Sequence, residues 1–464
     1  MNNKSASRGA RHARRLLVPL AALALAGCAT YRPVPLPQRA VLVREVTDLR
    51  HVVPGPRAGE PSRDIDVAKS LDIDEIGMLA ILNDPELLSE RGAMSAARAG
   101  LLQASLLPNP SVGLGYAALL GGPGTSPSYT ASLSQDIASL VTYRARVQSA
   151  RAQVSQVNAE LLWREWQVAQ KARLLALELY WGGRAIGLTE RDLAAVSGTI
   201  ARVRAATAAG DLGLSALAPL LAAEASAQQS LAALRLGQLR NWQALDALLG
   251  MVPSARFRIA RPALGPLPAN VAALIADLPS HRPDLIALRL GYRSSEQDVR
   301  AAILSQFPAL VLGLSWTSDT SEVRSAGPNV TFDLPIFDHH QGRIAQARAT
   351  RLLLHEQYQA RLDRAVAGVD GLVAQSKRLS ADLAMASRAA ASAASLAETA
   401  RTAYAQGNLE LRALTDYERT ALQRRVEVVA LRRRLGEDRI ALAVELGLGL
   451  PKTRIAPRDP ARSP

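Results

Sequence analysis

The chain has 464 residues, enough for two or three domains, and carries a formal net charge of +14. Its basic residues are scattered among acidic ones, and aromatic residues make up only 4% of the chain, which argues against a basic patch or a stacking platform for nucleic acid. We therefore expect no nucleic-acid partner.

The N-terminus has the pattern of a secretory signal peptide over residues 1–27. Lysine and arginine without acidic residues precede the apolar run Leu16–Ala26, which is too short to span a membrane. The run leads into Leu25-Ala26-Gly27-Cys28, which resembles the bacterial lipoprotein cleavage motif, so we expect acylation of Cys28. Ala29 stands where lipoproteins of the inner membrane usually carry Asp, which favours the outer membrane. The alternative is an ordinary signal peptide followed by a chance cysteine.

An irregular segment follows the cysteine. Pro33, Pro35 and Pro37 alternate with other residues, and Pro and Gly stay frequent to about residue 70. Because each proline fixes its φ angle and removes a hydrogen-bond donor, this composition predicts an extended, acylated tether over residues 28–70.

The remainder of the chain is a duplication. The same residue types recur in order at an offset of 198 and, after a one-residue slip, at an offset of 197. The matched pairs include Pro85 with Pro283, Gly115 with Gly313, Asp136 with Asp333, and Gly210 with Gly407. The repeats are predicted at about 71–250 and 279–447, with a Pro-rich linker over 251–278 and a C-terminal tail over 448–464.

Within each repeat the pattern predicts a helix, two strands and a hairpin of two long helices. Alternating apolar and small polar residues place strands at about 111–118, 128–137, 309–317 and 329–336. This alternation fits tilted strands that cross a bilayer, and it fits a soluble sheet with one buried face. Four strands cannot close a membrane barrel, and lipid does not tolerate an open sheet edge, so membrane-spanning strands would require several copies of the chain.

The long helices begin at about residues 138 and 338 and contain no proline up to their predicted ends near 208 and 405. About 70 residues at about 1.5 Å each reach on the order of 100 Å. Gly210 and Gly407 follow these helices, each with Asp or Asn next to it, and are predicted as the turns at the hairpin tips.

The strand-to-helix junctions are predicted at Asp136 in the first repeat and at Asp333 in the second. In the stretch 331–344 we expect a strand that becomes a helix with almost no loop. Pro335 is expected to end the strand ladder, and Gly342 to allow the chain to pass closely into the helix. The first junction lacks both residues.

Little in the sequence points to chemistry. Asp338-His339-His340 could be read as a metal site, but neighbouring His side chains on a helix point about 100° apart and Arg343 lies close by. There is no phosphate loop, nucleophile elbow or paired-cysteine site. We predict no enzyme activity, no metal site and no cofactor.

Taken together, the lipoprotein motif, the duplicated unit, Arg282-Pro283-Asp284-Leu285 and the two tip glycines resemble the TolC-type outer membrane factor family over nearly the whole mature chain. The segments 334–338 (Leu-Pro-Ile-Phe-Asp), 341–342 (Gln-Gly) and 107–110 (Leu-Pro-Asn-Pro) are similar to motifs of its heavy-metal efflux branch. The resemblance implies a mainly helical homotrimer in which a twelve-strand β-barrel continues as a twelve-helix periplasmic α-barrel. It also implies three partners: outer-membrane lipid, a periplasmic adaptor (membrane fusion) protein and an inner-membrane RND pump.

The resemblance further implies a role for Asp416. Many family members carry an Asp nine residues after the second tip glycine, which would make Asp416 a pore gate; the alternative is a solvated carboxylate on a helix face. The implied function is a passive exit duct for small molecules or metal cations. The alternatives are a duct for type I protein secretion and a periplasmic coiled-coil scaffold lipoprotein that does not span the membrane.

Overall fold

The computed structural model describes residue 31 and residues 33–54, 62–210, 212–263, 265–308 and 310–448. The chain divides into two units, residues 1–42 and residues 43–464, and the helices and strands given below lie in the second. Cys28, the signal-peptide pattern and almost all of the C-terminal tail lie outside the described residues.

The two repeats are built from the same elements in the same order. Two short strands come first, β1 (Val52–Val53) and β2 (Arg63–Asp64). The first repeat follows with α1 (Ile73–Asn83), α2 (Pro85–Ser105), β3 (Ser111–Ala117), β4 (Ser128–Asp136), α3 (Ala138–Ala208) and α4 (Ala218–Leu248). The second repeat contains α5 (Val271–His281), α6 (Pro283–Leu304), β5 (Leu310–Ser318), β6 (Arg324–Phe332), α7 (Gln341–Ala405) and α8 (Leu411–Leu446). The prediction of a mainly helical chain with a small sheet is confirmed.

The short helices start at caps that the sequence encodes locally. The Asp72 carboxylate accepts hydrogen bonds from the backbone N–H groups of Asp74 and Glu75, and the Glu75 side chain accepts one from the Asp72 N–H. This capping box satisfies N–H groups that have no partner within α1. Asp84 caps α2 through the N–H of Leu87, with proline in the first position of the helix, where its missing N–H is harmless.

The tether prediction is wrong beyond residue 42. Leu49, Val53, Ile65 and Leu71 are buried and pack with α1, α3 and the end of α4 in the largest apolar cluster of the described chain. Backbone hydrogen bonds tie this segment to the residues after α4, since the Leu71 N–H donates to the Arg258 carbonyl at 2.9 Å. The frequent Pro and Gly residues of this segment led to the tether prediction, whereas its four apolar side chains complete the core between α1, α3 and α4.

The predicted start of the second repeat at 279 is also wrong. Helix α5 begins at Val271, 198 residues after the start of α1, and Pro279 lies inside it. Proline inside a helix removes one i→i−4 hydrogen bond, and this cost has to be offset by packing. Leu278, next to it, is completely buried, and its cluster with Leu285 and Ala365 holds the helix in place.

The last strand differs most from the prediction of 329–336. Strand β6 begins at Arg324 and ends at Phe332, so it includes the pair Gly327-Pro328, which precedes the predicted strand. The turn before β6 is formed by Asp319, whose carboxylate accepts hydrogen bonds from the N–H groups of Ser321 and Val323 at 2.8 and 2.9 Å. Proline fits within β6 because the strand has a neighbour on one side only. The other three predicted strands differ from the structure by one residue at one or both ends.

Candidate functional site

The four long strands form one antiparallel sheet with two different faces. The strand order is β3-β4-β5-β6, and the register places side chains in rows across the sheet. One face carries apolar rows, such as Val112, Leu133, Leu314 and Pro328, or Leu114, Ala131, Trp316 and Ala326. The opposite face carries small and polar rows, such as Gly113, Ser132, Ser315 and Gly327, or Gly115, Thr130, Thr317 and Ser325.

No part of the described chain covers the apolar face. Leu114 is 80% exposed, Leu314 is 61% exposed and Phe332 is 56% exposed. The other large side chains of this face are exposed as well: Val112, Tyr116, Tyr129, Leu133, Leu312, Trp316 and Val330. A soluble sheet with this alternation would bury its apolar face against a second layer. A contiguous apolar surface of this size indicates contact with a membrane or a partner.

Both edges of this sheet are open within the chain. β3 pairs only with β4, and β6 pairs only with β5. The outward N–H and C=O groups of these strands therefore have no strand partner. In a bilayer such groups require one, because hydrocarbon offers no hydrogen bonds.

The first junction passes from strand to helix almost directly. β4 ends at Asp136 and α3 begins at Ala138. The Asp136 carboxylate accepts a hydrogen bond from the Ser139 N–H at 3.3 Å, and the Ser139 hydroxyl donates to the Asp136 carbonyl at 3.2 Å. Asp136 therefore satisfies groups of the first helical turn.

The second junction contains a loop, so the expectation of a direct passage is wrong there. Residues 333–340 separate β6 from α7, and Asp333 is exposed at the end of the strand. Pro335 lies three residues beyond the last pair of the ladder and does not interrupt it. A Cβ atom on Gly342 would meet nothing within 4 Å, so the chain makes no close contact there and the expected role of this glycine is wrong. The unusual conformation belongs to His340, with a φ of +58°.

The loop residues Asp338 and His340 lie next to each other. The Asp338 carboxylate accepts a hydrogen bond from the His340 N–H at 2.7 Å and lies 3.9 Å from its Nδ1. In the described part of the chain, no three His, Cys, Asp or Glu side chains are grouped as ligands for a metal ion.

The long hairpins reverse at glycines in the left-handed region. Gly210 has a φ of +87° and Gly407 a φ of +78°. Close to the second tip, the Arg401 guanidinium donates hydrogen bonds to Glu418 at 2.6 Å and to Glu398 at 2.8 Å, and so joins α7 to α8. Asp416 lies on α8 with its side chain exposed.

A buried arginine joins the shorter helices of the second repeat to its hairpin. Arg282 pairs with Asp284 through two hydrogen bonds, of 3.0 and 2.8 Å, and with Glu445 through one of 2.6 Å. Its guanidinium also lies 5.0 Å from the centre of the Trp163 ring of α3. Burial favours the neutral form, but the hydrogen bonds to both carboxylates leave the pKa of Arg282 raised. The segment 282–285 therefore has a structural role, in which it connects α6 to α8.

The first repeat has a buried pair that the sequence did not reveal. The Arg91 guanidinium donates to Glu165 at 3.0 Å and to the Ile81 carbonyl at 2.8 Å, and both charged side chains are almost fully buried. Burial raises the pKa of Glu165, and the hydrogen bond and charge of Arg91 oppose the rise. Asp246 is a second case, because burial raises its pKa to about 6 against the opposing charge of Arg256 at 3.2 Å. Arg91 and Glu165 are 74 residues apart in the sequence, so no local pattern reveals their pair.

No described helix has an apolar stretch long enough to cross a membrane. In comparisons with known proteins, residues 274–448 match the outer membrane efflux protein family. The comparison with curated proteins gives no match.

Three solved structures illustrate the likeness of the fold. The chain superposes on the outer-membrane channel CmeC of Campylobacter jejuni with a TM-score of 0.67 at 14% identity, covering 92% of this chain and 97% of that one. The outer membrane protein VceC of Vibrio cholerae gives 0.65 at 20% identity, covering 82% and 96%. CusC, described in connection with transmembrane channel formation, gives 0.67 at 16% identity, covering 81% and 92%. At these identities the comparison establishes the fold.

Proposed function

We propose that the protein is the exit duct of a tripartite efflux pump, because residues 274–448 match the outer membrane efflux protein family and the fold is similar to that of solved outer-membrane channels. The duct is passive and carries small molecules or metal cations from the periplasm to the exterior. The energy comes from an inner-membrane RND pump, and a periplasmic adaptor joins the two.

The observation that carries this proposal is the uncovered apolar face of the sheet. Opposite it lies a face of glycine, serine and threonine, as expected where lipid lies outside and water inside. One chain supplies four long strands, and known membrane barrels need at least about eight. Three copies supply twelve strands, and closure into a ring removes both open edges. In a homotrimer, the apolar face therefore contacts lipid and the backbone groups of both edges have hydrogen-bond partners.

The hairpins supply the walls of a tunnel below the barrel. Helix α3 has 71 residues and α7 has 65, which correspond to about 106 and about 98 Å. Each chain contributes four long helices, α3, α4, α7 and α8, so three copies contribute twelve. The tips at Gly210 and Gly407 then form the periplasmic end, which the adaptor would engage.

In this trimer, three copies of Asp416 would bring three carboxylates near the tunnel end. A ring of carboxylates favours cations over anions. Asp416→Asn is expected to lower the cation-to-anion permeability ratio of the channel. Asp298→Asn, which removes one exposed carboxylate from α6, serves as the control for net charge. An unchanged ratio in Asp416→Asn would place Asp416 on a solvated helix face outside the tunnel.

Conductance of the purified protein in planar bilayers tests the duct itself. We expect discrete channel openings from a species with the mass of three chains. A complete absence of openings, together with the mass of a single chain, would refute the proposal. Genes for an ABC exporter beside this one, in place of a proton-driven pump, would favour type I protein secretion through the same fold.

Surface labelling distinguishes a spanning duct from a periplasmic scaffold. Gly121 lies in the loop between β3 and β4 with open space around it, whereas its neighbour Gly122 has a φ of +107°. A membrane-impermeant thiol reagent should label Gly121→Cys in intact cells and leave Ala209→Cys at the tip unlabelled. Absence of label at both positions would support the scaffold. The exposed apolar face of the sheet favours the duct.

Acylation of Cys28 belongs to the same proposal. It would add a lipid anchor at the end of the mature chain, in the outer membrane. Mass spectrometry of the mature N-terminus should find acyl chains on this residue, and Cys28→Ser should remove them. An unmodified thiol in the mature protein would identify an ordinary signal peptide.

A further inference from the structure

The outward backbone groups of the two sheet edges belong to residues of the apolar face. The Ile137 N–H donates to the Leu310 carbonyl at 2.8 Å, so Leu310 points its backbone groups toward β4. Backbone groups alternate in direction along a strand, and the register carries this alternation across the sheet. The outward positions on β3 are therefore Val112, Leu114 and Tyr116. Those on β6 are Ala326, Pro328, Val330 and Phe332.

Closure of a barrel limits how these edges can pair. Twelve strands with a tilt of about 35–45° need a total stagger of about 12 to 18 residues, given about 3.3 Å per residue and about 4.8 Å between strands. Threefold symmetry divides this total into three equal parts, of roughly four to six residues per copy. The stagger per copy must also be even, because an odd shift would exchange the two faces of the sheet, so it is four or six. Within one chain, Ser111 pairs with Ser134, Ser134 with Gly313, and Gly313 with Asn329. Ser111 and Asn329 are thus the two ends of one row across the sheet.

The strand ends give the direction of the stagger. β3 begins at Ser111, whereas β6 continues past Asn329 to Phe332 on the helical side of the sheet. The next copy's Ser111 therefore lies beyond Asn329, opposite either Asp333 or Pro335.

The prolines decide between these two registers. With Ser111 opposite Asp333, Pro328 would face Tyr116 and Pro110 would face Leu334, and both prolines lack the N–H that an outward position needs. With Ser111 opposite Pro335, Pro328 faces Ala118, which lies past the end of β3, and Pro110 faces Ile336 below the ladder. The backbone groups of residue 335 face away from the next copy, so pairing does not need the N–H that Pro335 lacks.

We propose that β6 extends through Pro335 in the assembled protein and pairs with β3 of the next copy, with Leu334 opposite Val112. This inference rests on the proposed trimeric duct. The extended strand makes three complete pairs: Leu334 with Val112, Phe332 with Leu114, and Val330 with Tyr116. All six side chains lie on the apolar face, and the five that belong to β3 or β6 are exposed in the single chain, as Leu334 is.

The pairing also explains the loop at the second junction. Past Phe332 the strand has no partner within the chain, because Phe307 and Pro308 precede β5. The sequence nevertheless keeps its alternation through Leu334 and Ile336, both of which are about two-thirds exposed. Residues 333–335 are thus a strand end that a second copy completes.

Cysteine pairs in the full-length protein test this register. Opposed residues lie about 5.5 Å apart between Cα atoms, within disulfide range, whereas diagonal residues lie about 7–8 Å apart, outside it. Val112→Cys with Leu334→Cys should form a covalent species of three chains on oxidation, and Val112→Cys with Phe332→Cys should not. The edges of one chain are about 14 Å apart, so a bond within the chain cannot mimic this result.

Leu114→Cys with Phe332→Cys reports the same register independently, in case one double variant fails to fold. Each single variant and the wild-type chain, whose one cysteine is Cys28, serve as controls. Cross-linking of Val112→Cys with Phe332→Cys instead would overturn the register and leave the trimer intact. A species with the mass of three chains that cross-links in no pair would also overturn the register. A chain that stays at the mass of one copy would refute the proposed duct itself.

Discussion

Removal of Arg91 should destabilise the protein far more than removal of an exposed charge. Arg91 and Glu165 are 6% and 5% exposed, and the guanidinium also satisfies the Ile81 carbonyl. Arg91→Met would leave a buried carboxylate and a buried carbonyl without their donor. Loss of one partner of a buried pair typically costs about 3–5 kcal/mol. Urea unfolding in detergent, followed by tryptophan fluorescence to which the buried Trp166 contributes, measures the change.

The second half of this test uses the double variant and pH. Arg91→Met with Glu165→Met should recover most of the loss, because apolar side chains of similar volume replace a buried pair without leaving a charge. Burial already raises the pKa of Glu165, and loss of Arg91 should raise it further. The destabilisation by Arg91→Met should therefore shrink as the pH falls through this pKa, and Arg91→Met with Glu165→Gln should lack this pH dependence. A loss below about 1 kcal/mol, the value typical of exposed pairs, would refute the argument.

Three further outcomes follow from other parts of the chain. Burial raises the pKa of Asp246 to about 6 from 3.8, so its contribution to stability should fall as the pH rises through this window; Asp246→Asn should lack this fall in an unfolding series. Gly407→Ala should destabilise the hairpin by about 1 kcal/mol because of its positive φ, whereas Gly342→Ala, in an ordinary helical conformation with open space, should stabilise slightly; equal thermal shifts would contradict this. Leu314→Lys places a charge on the apolar face, where it should cost about 2–4 kcal/mol of insertion free energy and lower the share of protein in the membrane fraction. Ser315→Lys on the opposite face should leave that share unchanged.

The features that the sequence predicts well are those specified by a few neighbouring residues. The turns at the hairpin tips are predicted from Gly210 and Gly407, which occupy a conformation that other residues rarely adopt. Alternation along the strands predicts two faces for the sheet, and the structure adds that the apolar face is uncovered. These signals need no knowledge of the rest of the chain.

The features that the sequence did not predict depend on distant partners. Leu49 and Ile65 look like parts of a tether until α1, α3 and α4 are placed around them. Pro279 looks like a boundary, but the burial of Leu278 keeps it within a helix. Glu165 is one of four glutamates on α3, and nothing in the sequence distinguishes it until Arg91, 74 residues away, is placed beside it.

The two strand-to-helix junctions diverge because their strands have different neighbours. β4 has β3 and β5 on its two sides, so its end at Asp136 is determined within the chain and the helix can follow at once. β6 has a neighbour on one side only, and in the proposed trimer its last residues pair with a second copy. In that arrangement residues 333–335 continue the strand, and residues 336–340 lead from it to α7, which begins at Gln341. On this proposal, the loop that distinguishes the second repeat follows from the position of β6 at the edge of the sheet.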